Sequence, residues 1–502
     1  MTSTSHRRAR LALATGVALL AGAVTVPVAG AATPAATTAT TATTPSPKRL
    51  HDDFNGDGHP DQAIGAPRSK VGTLANAGAI SVVYGSASGL STSRKQVLTW
   101  ADRPTDRQFT WYGSSLHSGD LDRDGYADLL SMVNAPVNGY QGRVVVVHWG
   151  GPQGLSAAPT LLKDVPPHGS GGFAVADHDR DGNPDVVVSG ERYGDPEQGD
   201  GLVLRGPFGR DGGGARSEPF TLVPGDELWY ASGFAAGDIT GDGYADLAVD
   251  AHHTDLDSGS GGVVLLTGGP SGFTYKGFVK DAQGRSMRAD AIEVGDLNKD
   301  GYADIVIGHS IDGTDYDMDL PVKGGAVGVV YGGPNGVSTT RKPVWINQDT
   351  AGVPGAGEWS DGMGSGLSVA DIDGDGYQDV TTGLPGEDFD GLTDAGSVLV
   401  LRGSAQGLTG TGAKVFSQNT AGVPGAAESG DRFGATTALV DPDQNKRHQL
   451  VVGDPAENAN NGAVWVFAAT STGITATGAT TFGATTMGAP VTGSAFGGSL
   501  SD

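Results

Sequence analysis

The sequence predicts an all-β fold, a seven-bladed β-propeller of four-stranded antiparallel blades closed when the C-terminal strand joins the first blade. Three observations carry that expectation. An acidic nine-residue string recurs along the chain, each copy sits among the same short apolar runs, and the two ends of the chain complete one unit between them.

The string reads DFNGDGHPD from Asp53, DLDRDGYAD from Asp120, DHDRDGNPD from Asp177, DITGDGYAD from Asp238, DLNKDGYAD from Asp296 and DIDGDGYQD from Asp371. A seventh copy, Asp441 to Gln449, is degenerate: DPDQNKRHQ. After the ninth position comes an apolar run such as Val186-Val187-Val188 or Ile305-Val306-Ile307, too short for a helix and suited to a buried strand. A second run follows, GAISVVYG from Gly78 or GAVGVVYGG from Gly325, and Gly-x-x-x-Gly turns such as Gly85 to Gly89 and Gly332 to Gly336 close several of these. Before most acidic strings lies a strand opening on an aromatic or small residue: Tyr112-Gly113, Phe173, Phe234, Phe433-Gly434. Each unit is thus a small antiparallel sheet of about four strands, with no helical stripe between units. The first unit lacks the strand that should precede Asp53, and Phe496-Gly497-Gly498-Ser499-Leu500 has the character of that strand. Pairing it into the first blade makes seven units and removes an open sheet edge.

Composition agrees with many short strands and tight turns, since 83 of 502 residues are Gly and 27 are Pro. The formal charge of -25 at pH 7 argues against nucleic acid as a partner and favours bound cations. With no Cys, disulfides and thiolate metal sites are excluded, so packing or oxygen-ligated metal must stiffen the chain. His6, Arg7, Arg8 and Arg10 followed by the apolar Leu11 to Val28 and the small residues Ala29-Gly30-Ala31 read as a signal peptide, residues 1–31. Export is expected through Sec or, given Arg7-Arg8, the twin-arginine route. Residues 32–48 are a Thr, Ala and Pro linker read as disordered, and residues 49–502 form the propeller. No further run of about 18 apolar residues follows, so the mature protein is expected to be secreted, without a membrane span, and a monomer.

The acidic string has the makings of a Ca²⁺ cage. Position 1 is Asp53, Asp120, Asp177, Asp238, Asp296 and Asp371; position 3 is Asn55, Asp122, Asp179, Thr240, Asn298 and Asp373. Position 5 is Asp57, Asp124, Asp181, Asp242, Asp300 and Asp375; position 9 is Asp61, Asp128, Asp185, Asp246, Asp304 and Asp379. Position 7 offers its backbone carbonyl and is His59, Tyr126, Asn183, Tyr244, Tyr302 and Tyr377. Alternate oxygens around a Gly-permitted turn suit a hard cation that takes about six to eight oxygens, and Mg²⁺ fits less well because it demands strict octahedral geometry. An EF-hand is excluded, because the residues at position 12 are Ile64, Ser131, Val188, Val249, Ile307 and Thr382 where that loop needs Glu. One such string alone would be an ordinary Asp-Gly turn; six are expected to bind about six structural ions, with the Asp441 to Gln449 loop weak or empty.

The aromatic-Gly strand, the DxDxDGxxD string, the apolar strand after it and the Gly65-Ala66-Pro67 triplet together resemble FG-GAP repeats, the units of the integrin α-subunit propeller and of many bacterial exported proteins. The likeness runs from about Leu50 to Asp502, with Gly-Ala-Pro intact only in the first blade and varied to Gly383-Leu384-Pro385 and Gly453-Asp454-Pro455. Two stretches, QDTAGVPGAGE from Gln348 and QNTAGVPGAAE from Gln418, resemble connectors between blades of bacterial members. The resemblance implies calcium on one face and ligands on the opposite face. It does not fix the ligand.

Seven units use up the chain, and no HExxH, GxSxG or P-loop is present, so a binding or adhesion protein with an extracellular carbohydrate or protein ligand is the first reading. Trp111, Tyr112, Trp229, Tyr230 and Trp359 precede acidic strings and are candidate ligand contacts, unless they fill gaps between blades. A secreted polysaccharide-degrading lyase or hydrolase with its site on the propeller face is the alternative. His252-His253 with Asp255 and Asp257 could ligate a transition metal or be a polar surface loop.

Overall fold

The computed structural model describes residues 50–501 apart from 101–108, 138–139, 166–171, 191–199, 226–228, 254–260 and 313–321. The expected signal peptide and linker, together with Asp255 and Asp257, lie outside the described residues.

Seven four-stranded antiparallel sheets follow one another along the chain. In blades 2 to 7 the first strand is innermost, namely Leu116–Gly119, Phe173–Ala176, Trp229–Gly237, Ala291–Gly295, Ser365–Ala370 and Thr436–Val440. Those strands line a central channel through residues such as Ser118, Val175, Ala236, Val294, Val369 and Leu439. The second strand of each blade is the apolar run that follows the acidic string, and in six blades, for example Gln62–Ala66 and Asp379–Leu384, it is buried almost throughout. Burial on both faces explains why those runs do not alternate: a blade is covered by a neighbour on each side. The outermost strands, such as Arg216–Phe220, are exposed and more polar. A small extra hairpin pairs Gly332–Gly333 with Gly336–Val337 in blade 5. Among the described residues the only helical segments are four-residue turns, Glu457–Asn460 and Ala484–Met487.

Closure follows the expected route. Ser499–Leu500 pairs antiparallel with Gln62–Ala66, in the register Ile64↔Leu500 and Gly65↔Ser499, and supplies the innermost strand of blade 1. Ser501 continues the seam: its Oγ accepts the Ala63 amide at 3.0 Å, and its carbonyl accepts Gln62 Nε2 at 2.9 Å. The apolar core is seven slabs, one per blade interface. The slab between blades 7 and 1 joins Val451, Val464 and Phe496 to Ile64 and Val83.

The FG-GAP signature is a packing device in this structure. Tyr112, Met363, Phe433 and Phe496 are fully enclosed, and each bridges in parallel to a glycine of the preceding blade: Gly78, Gly325, Gly396 and Gly462. The glycine after each ring or Met then meets a second glycine, so that a Cβ on Gly65, Gly308, Gly383 or Gly453 would collide with the carbonyl of Gly113, Gly364, Gly434 or Gly497. Side chain and missing side chain are complementary, and the second strand of one blade can approach closely to the chain entering the innermost strand of the next.

A chain ending at Gly498 lacks the closing pairs and the Ser501 seam. Its melting temperature is expected to fall by about 5 °C or more, the loss of a few kcal/mol; a melting curve identical to that of the full chain would show that closure does not depend on this strand.

Candidate metal centre in the acidic loops

In blades 2 to 7 the acidic string joins the innermost strand to the second, and in blade 1 it leads directly into the second strand, so antiparallel alternation puts all of them at one end of the barrel of blades. Each loop is organised by its own carboxylates. In loop 1 the amides of Asp57 and Gly58 donate to the two oxygens of Asp53 at 3.1 and 2.9 Å, and the His59 amide donates to Asp57 Oδ1 at 3.2 Å. The same bonds recur in loop 4, from Asp242 and Gly243 to Asp238 at 2.9 Å each, and in loop 5, from Asp300 and Gly301 to Asp296 at 3.1 and 2.9 Å. Position 6 must be left-handed for this wrap, with φ between 85° and 96° at Gly58, Gly125, Gly182, Gly243, Gly301 and Gly376. Position 4 is left-handed too, even where it is Arg123, Arg180 or Lys299, which the sequence reading did not foresee.

Position 9 holds the loop to the rest of the blade. Asp61 accepts the Phe54 amide at 3.0 Å on one oxygen and the Gly85 amide at 2.8 Å on the other. Gly150 donates in the same way to Asp128, Gly206 to Asp185, Gly268 to Asp246, Gly332 to Asp304 and Gly403 to Asp379, all between 2.8 and 3.0 Å. In the sequence each of these glycines ends an apolar run, and Gly85 and Gly332 read as turn formers; their pairing with position 9 appears only in the fold. A Cβ on any of them would stand closer than 3.0 Å to the carbonyl oxygen of the residue before position 9, such as Gln378 for Gly403. In blade 7 both partners change together: Gln449 stands at position 9 and Ala469 takes the glycine's place. The seventh loop nonetheless keeps its turn, with Asn445 and Lys446 donating to Asp441 at 3.0 and 2.9 Å and Lys446 at φ 66°.

Burial of position 9 has an electrostatic consequence. Asp61, Asp128, Asp185, Asp246, Asp304 and Asp379 are at most 1% exposed, and desolvation drives their carboxyls upward. Asp61 and Asp128 reach about 8, and Asp304 about 7. Asp185 and Asp379 stop at about 6 because Arg205 and Arg402 oppose the desolvation. Those arginines follow a pattern. In the three full strings whose third position is Asp, a guanidinium reaches that Asp: Arg210 Nε to Asp122 Oδ2 at 2.6 Å, Arg205 Nη1 to Asp179 Oδ2 at 3.6 Å, and Arg402 to Asp373. In loops 4 and 5, with Thr240 and Asn298 there, no arginine pairs with a carboxylate among the described residues, and Arg180 meets only the Asp242 carbonyl, at 3.0 Å. The fourth carboxylate is thus balanced from outside, and loops 2 to 6 each keep a similar surplus of negative charge.

The donor set fits a hard divalent cation. In loops 2, 3 and 6 carboxylate oxygens from positions 1, 3 and 9 lie within 4.8 Å of one another, as in Asp120, Asp122 and Asp128. Oxygens that close together can share one cation at about 2.4 Å, the Ca²⁺–oxygen distance. In loop 5 the Asn298 side-chain oxygen is buried without a hydrogen-bond partner, an acceptor left over at position 3. Position 7 side chains point elsewhere, against the preceding loop and in five of the six cases against its position 4. Tyr126 packs on Gly56 and Tyr302 on Gly241, while Arg180 and Lys299 lie 6.0 and 5.4 Å from the rings of Tyr244 and Tyr377. His59 Nδ1 meets the Pro442 carbonyl at 2.7 Å, and Asn183 accepts Arg123 at 2.9 Å. Only backbone carbonyls remain for an ion at that position.

The aromatic candidates divide. Tyr112 is fully buried with its hydroxyl on His148 Nε2, and Trp229 is 6% exposed, so the gap-filling alternative describes both, and neither presents a ring to solvent. Trp111 and Tyr230 are half-buried, the latter stacked on His252 at 5.3 Å. Trp359 is 52% exposed with Lys323 over its ring at 5.6 Å. By strand alternation all five belong to the end opposite the acidic loops. His252 turns to Asp250 and Ser232, and both contact the same ring nitrogen, Nε2. A nucleophile-activating relay needs the carboxylate and the hydroxyl on opposite nitrogens.

Fold and loops together define a β-propeller with a ring of oxygen-lined turns at one end. The FG-GAP repeat family matches residues 51–83, 112–147 and 363–401, and the chain is an FG-GAP β-propeller. Phosphatidylinositol-glycan-specific phospholipase D of Mus musculus is 29% identical over 160 residues, 32% of this chain and 17% of that protein. Integrin alpha-IIb of Mus musculus is 35% identical over 147 residues, 27% of this chain and 14% of that protein. The chain matches under a fifth of the length of these relatives. The structure of apo AztD from Citrobacter koseri aligns over 88% of this chain and 97% of that one, with 11% identity and a TM-score of 0.37.

Two outcomes follow from the position 9 contact. Gly403→Ala is expected to cost about 2–3 kcal/mol, because the new methyl meets backbone, whereas Gly391→Ala, with no atom within 4 Å and φ 81°, costs about 1 kcal/mol; equal melting temperatures for the two variants would contradict the close approach. In chelator, folded Asp61 and Asp128 hold protons that the unfolded chain releases near 3.8. Their contribution to stability is therefore full below about pH 4 and is lost as pH rises through about 8. Added Ca²⁺ is expected to raise the melting temperature more at pH 8 than at pH 5, and the reverse order would refute the assignment.

Proposed function

We propose that this chain is a secreted, extracellular calcium-binding propeller that acts as a binding or adhesion module for a carbohydrate or protein ligand, with calcium as a structural ion. The observation that carries the reading is the set of six buried position 9 aspartates, each at the edge of an oxygen-lined turn and each pushed upward by desolvation. A divalent ion there relieves the desolvated charge and stiffens the turn, which is the role the missing disulfides cannot play. Loops 1 to 6 are assigned Ca²⁺ through positions 1, 3, 5 and 9 and the carbonyl of position 7, and the Asp441 to Gln449 loop is assigned none.

Ligand binding is assigned to the opposite end, where connectors of variable length and the exposed Trp359 lie. A flat aromatic beside a Lys suits a sugar ring or an acidic side chain. Extracellular placement rests on the apolar segment Leu11 to Val28 and on relatives that include an integrin α chain. Among the described residues no helix is long and apolar enough to cross a membrane.

The test is a glycan array and a panel of immobilised extracellular matrix proteins, probed with the Ca²⁺-loaded chain and with Trp359→Ala. Binding that Trp359→Ala weakens at least tenfold without changing the melting temperature is the expected result. No binding on either surface, together with turnover of a polysaccharide in the same preparation, would overturn the reading in favour of an enzyme.

A further inference from the structure

We propose that the connector between blades 6 and 7 builds a further divalent cation site, from Asp431, Asp454, Glu457 and Gln418, at the end of the propeller opposite the acidic loops. Its chemistry is that of a hard, oxygen-seeking ion such as Ca²⁺ or Mn²⁺, and its sequence frame is unrelated to the nine-residue string.

Three carboxylates meet here, and their oxygens lie within 4.8 Å of one another. Asp431 precedes the innermost strand of blade 7, Asp454 ends the second strand, Gln449–Asp454, and Glu457 opens the turn after it. Asp431 and Asp454 are 4% and 0% exposed. Among the described residues no Lys or Arg is paired with any of the three, unlike loops 2, 3 and 6. Burying like charges this closely without a counter-charge is costly, and the Asp454 carboxyl is pushed up to about 8 by burial, with Glu457 and Asp431 adding to it.

Two buried oxygens are left over at the same place. Asp454 Oδ1 accepts the amides of Ala456 and Glu457 at 3.1 and 2.8 Å, while its Oδ2 is buried without a partner. Gln418, 2% exposed, donates Nε2 to Glu457 Oε2 at 2.8 Å, which sets its amide head against the cluster, and its Oε1 is likewise buried without a partner. The Gln418 oxygen is independent of the carboxylates and is an acceptor only. A cation satisfies both orphaned oxygens at once; a proton on Asp454 supplies a single donor.

Blade 6 provides an internal control. Its connector starts at Gln348, which donates to Glu387 Oε2 at 2.7 Å, and Asp361 accepts the Glu358 amide at 2.7 Å just as Asp431 accepts that of Glu428 at 2.5 Å. The frame is the same, including a Gln348 Oε1 buried without a partner, but Leu384 ends the second strand where blade 7 has Asp454, so the third carboxylate and the unpartnered Asp454 Oδ2 are what blade 7 adds. Three carboxylates converge in the second frame and two in the first. The fold therefore tolerates Leu at this place.

The experiment is anomalous diffraction from crystals of the whole chain soaked in MnCl₂, with Asp454→Leu as the variant. The expected result is a Mn²⁺ peak among Asp431, Asp454, Glu457 and Gln418, absent in Asp454→Leu, while peaks in the acidic loops are unchanged. Metal analysis after desalting should then show one ion fewer per chain in Asp454→Leu and in Glu457→Gln. Peaks in the acidic loops with none at the connector, or equal metal content in wild type and both variants, would overturn this site and leave the calcium reading of the loops intact.

Discussion

A carboxylate buried between two strands governs this molecule. Position 9 of each full string accepts one amide from its own loop and one from the strand-end glycine of its blade, as Asp61 does from Phe54 and Gly85. Both bonds strengthen with a negative charge on the Asp, yet burial opposes that charge. The conflict is settled only by a proton or by a cation close at hand, and the remaining side chains of the loop are arranged as oxygen donors on the open side. Where a full loop carries a fourth acid, an arginine balances it; loop 1, with three acids, also has Arg94 on Asp57 at 2.7 Å and keeps the smallest surplus.

The same loops tie blades to one another. The Asp53 carbonyl accepts the Ala127 amide at 2.9 Å, and Asp238 and Asp296 accept Ala303 and Gln378 at 3.0 and 3.1 Å. Pro60 and Pro184 have no amide to give, and at those two junctions side chains substitute, His59 on Pro442 and Arg123 on Asn183. With seven apolar slabs between blades and a closing strand from the other end of the chain, each blade depends on both neighbours. Stiffening one loop therefore stiffens a junction, and an ion bound at the acidic end would hold the frame on which the connectors of the other end are displayed.

Much of this was legible in the sequence because repetition turns weak signals into strong ones. One Asp-Gly string is a turn; six in the same surroundings fix a blade, its count and its cage. The closing strand was legible because Phe496-Gly497 repeats Phe433-Gly434. Other features were hidden, since they exist only between blades. The glycines that end the third strands look like turn formers until the neighbouring carbonyl is seen. Tyr112 looks like a ligand platform until Gly78 is found beneath it, and Arg205 and Arg402 are unremarkable ends of strands until they arrive beside Asp179 and Asp373. The blade 7 cluster was quoted in the sequence as a variant Gly-Asp-Pro, and only the fold brings Asp431 and Gln418 to it.

The most direct test of the central claim is a calcium titration of the chelated chain at pH 7, with bound Ca²⁺ and released protons counted together. If buried position 9 aspartates exchange a proton for an ion, uptake of about six Ca²⁺ at the acidic loops is accompanied by proton release, and both are reduced in Asp61→Asn. Uptake without proton release, or no uptake, would contradict the account.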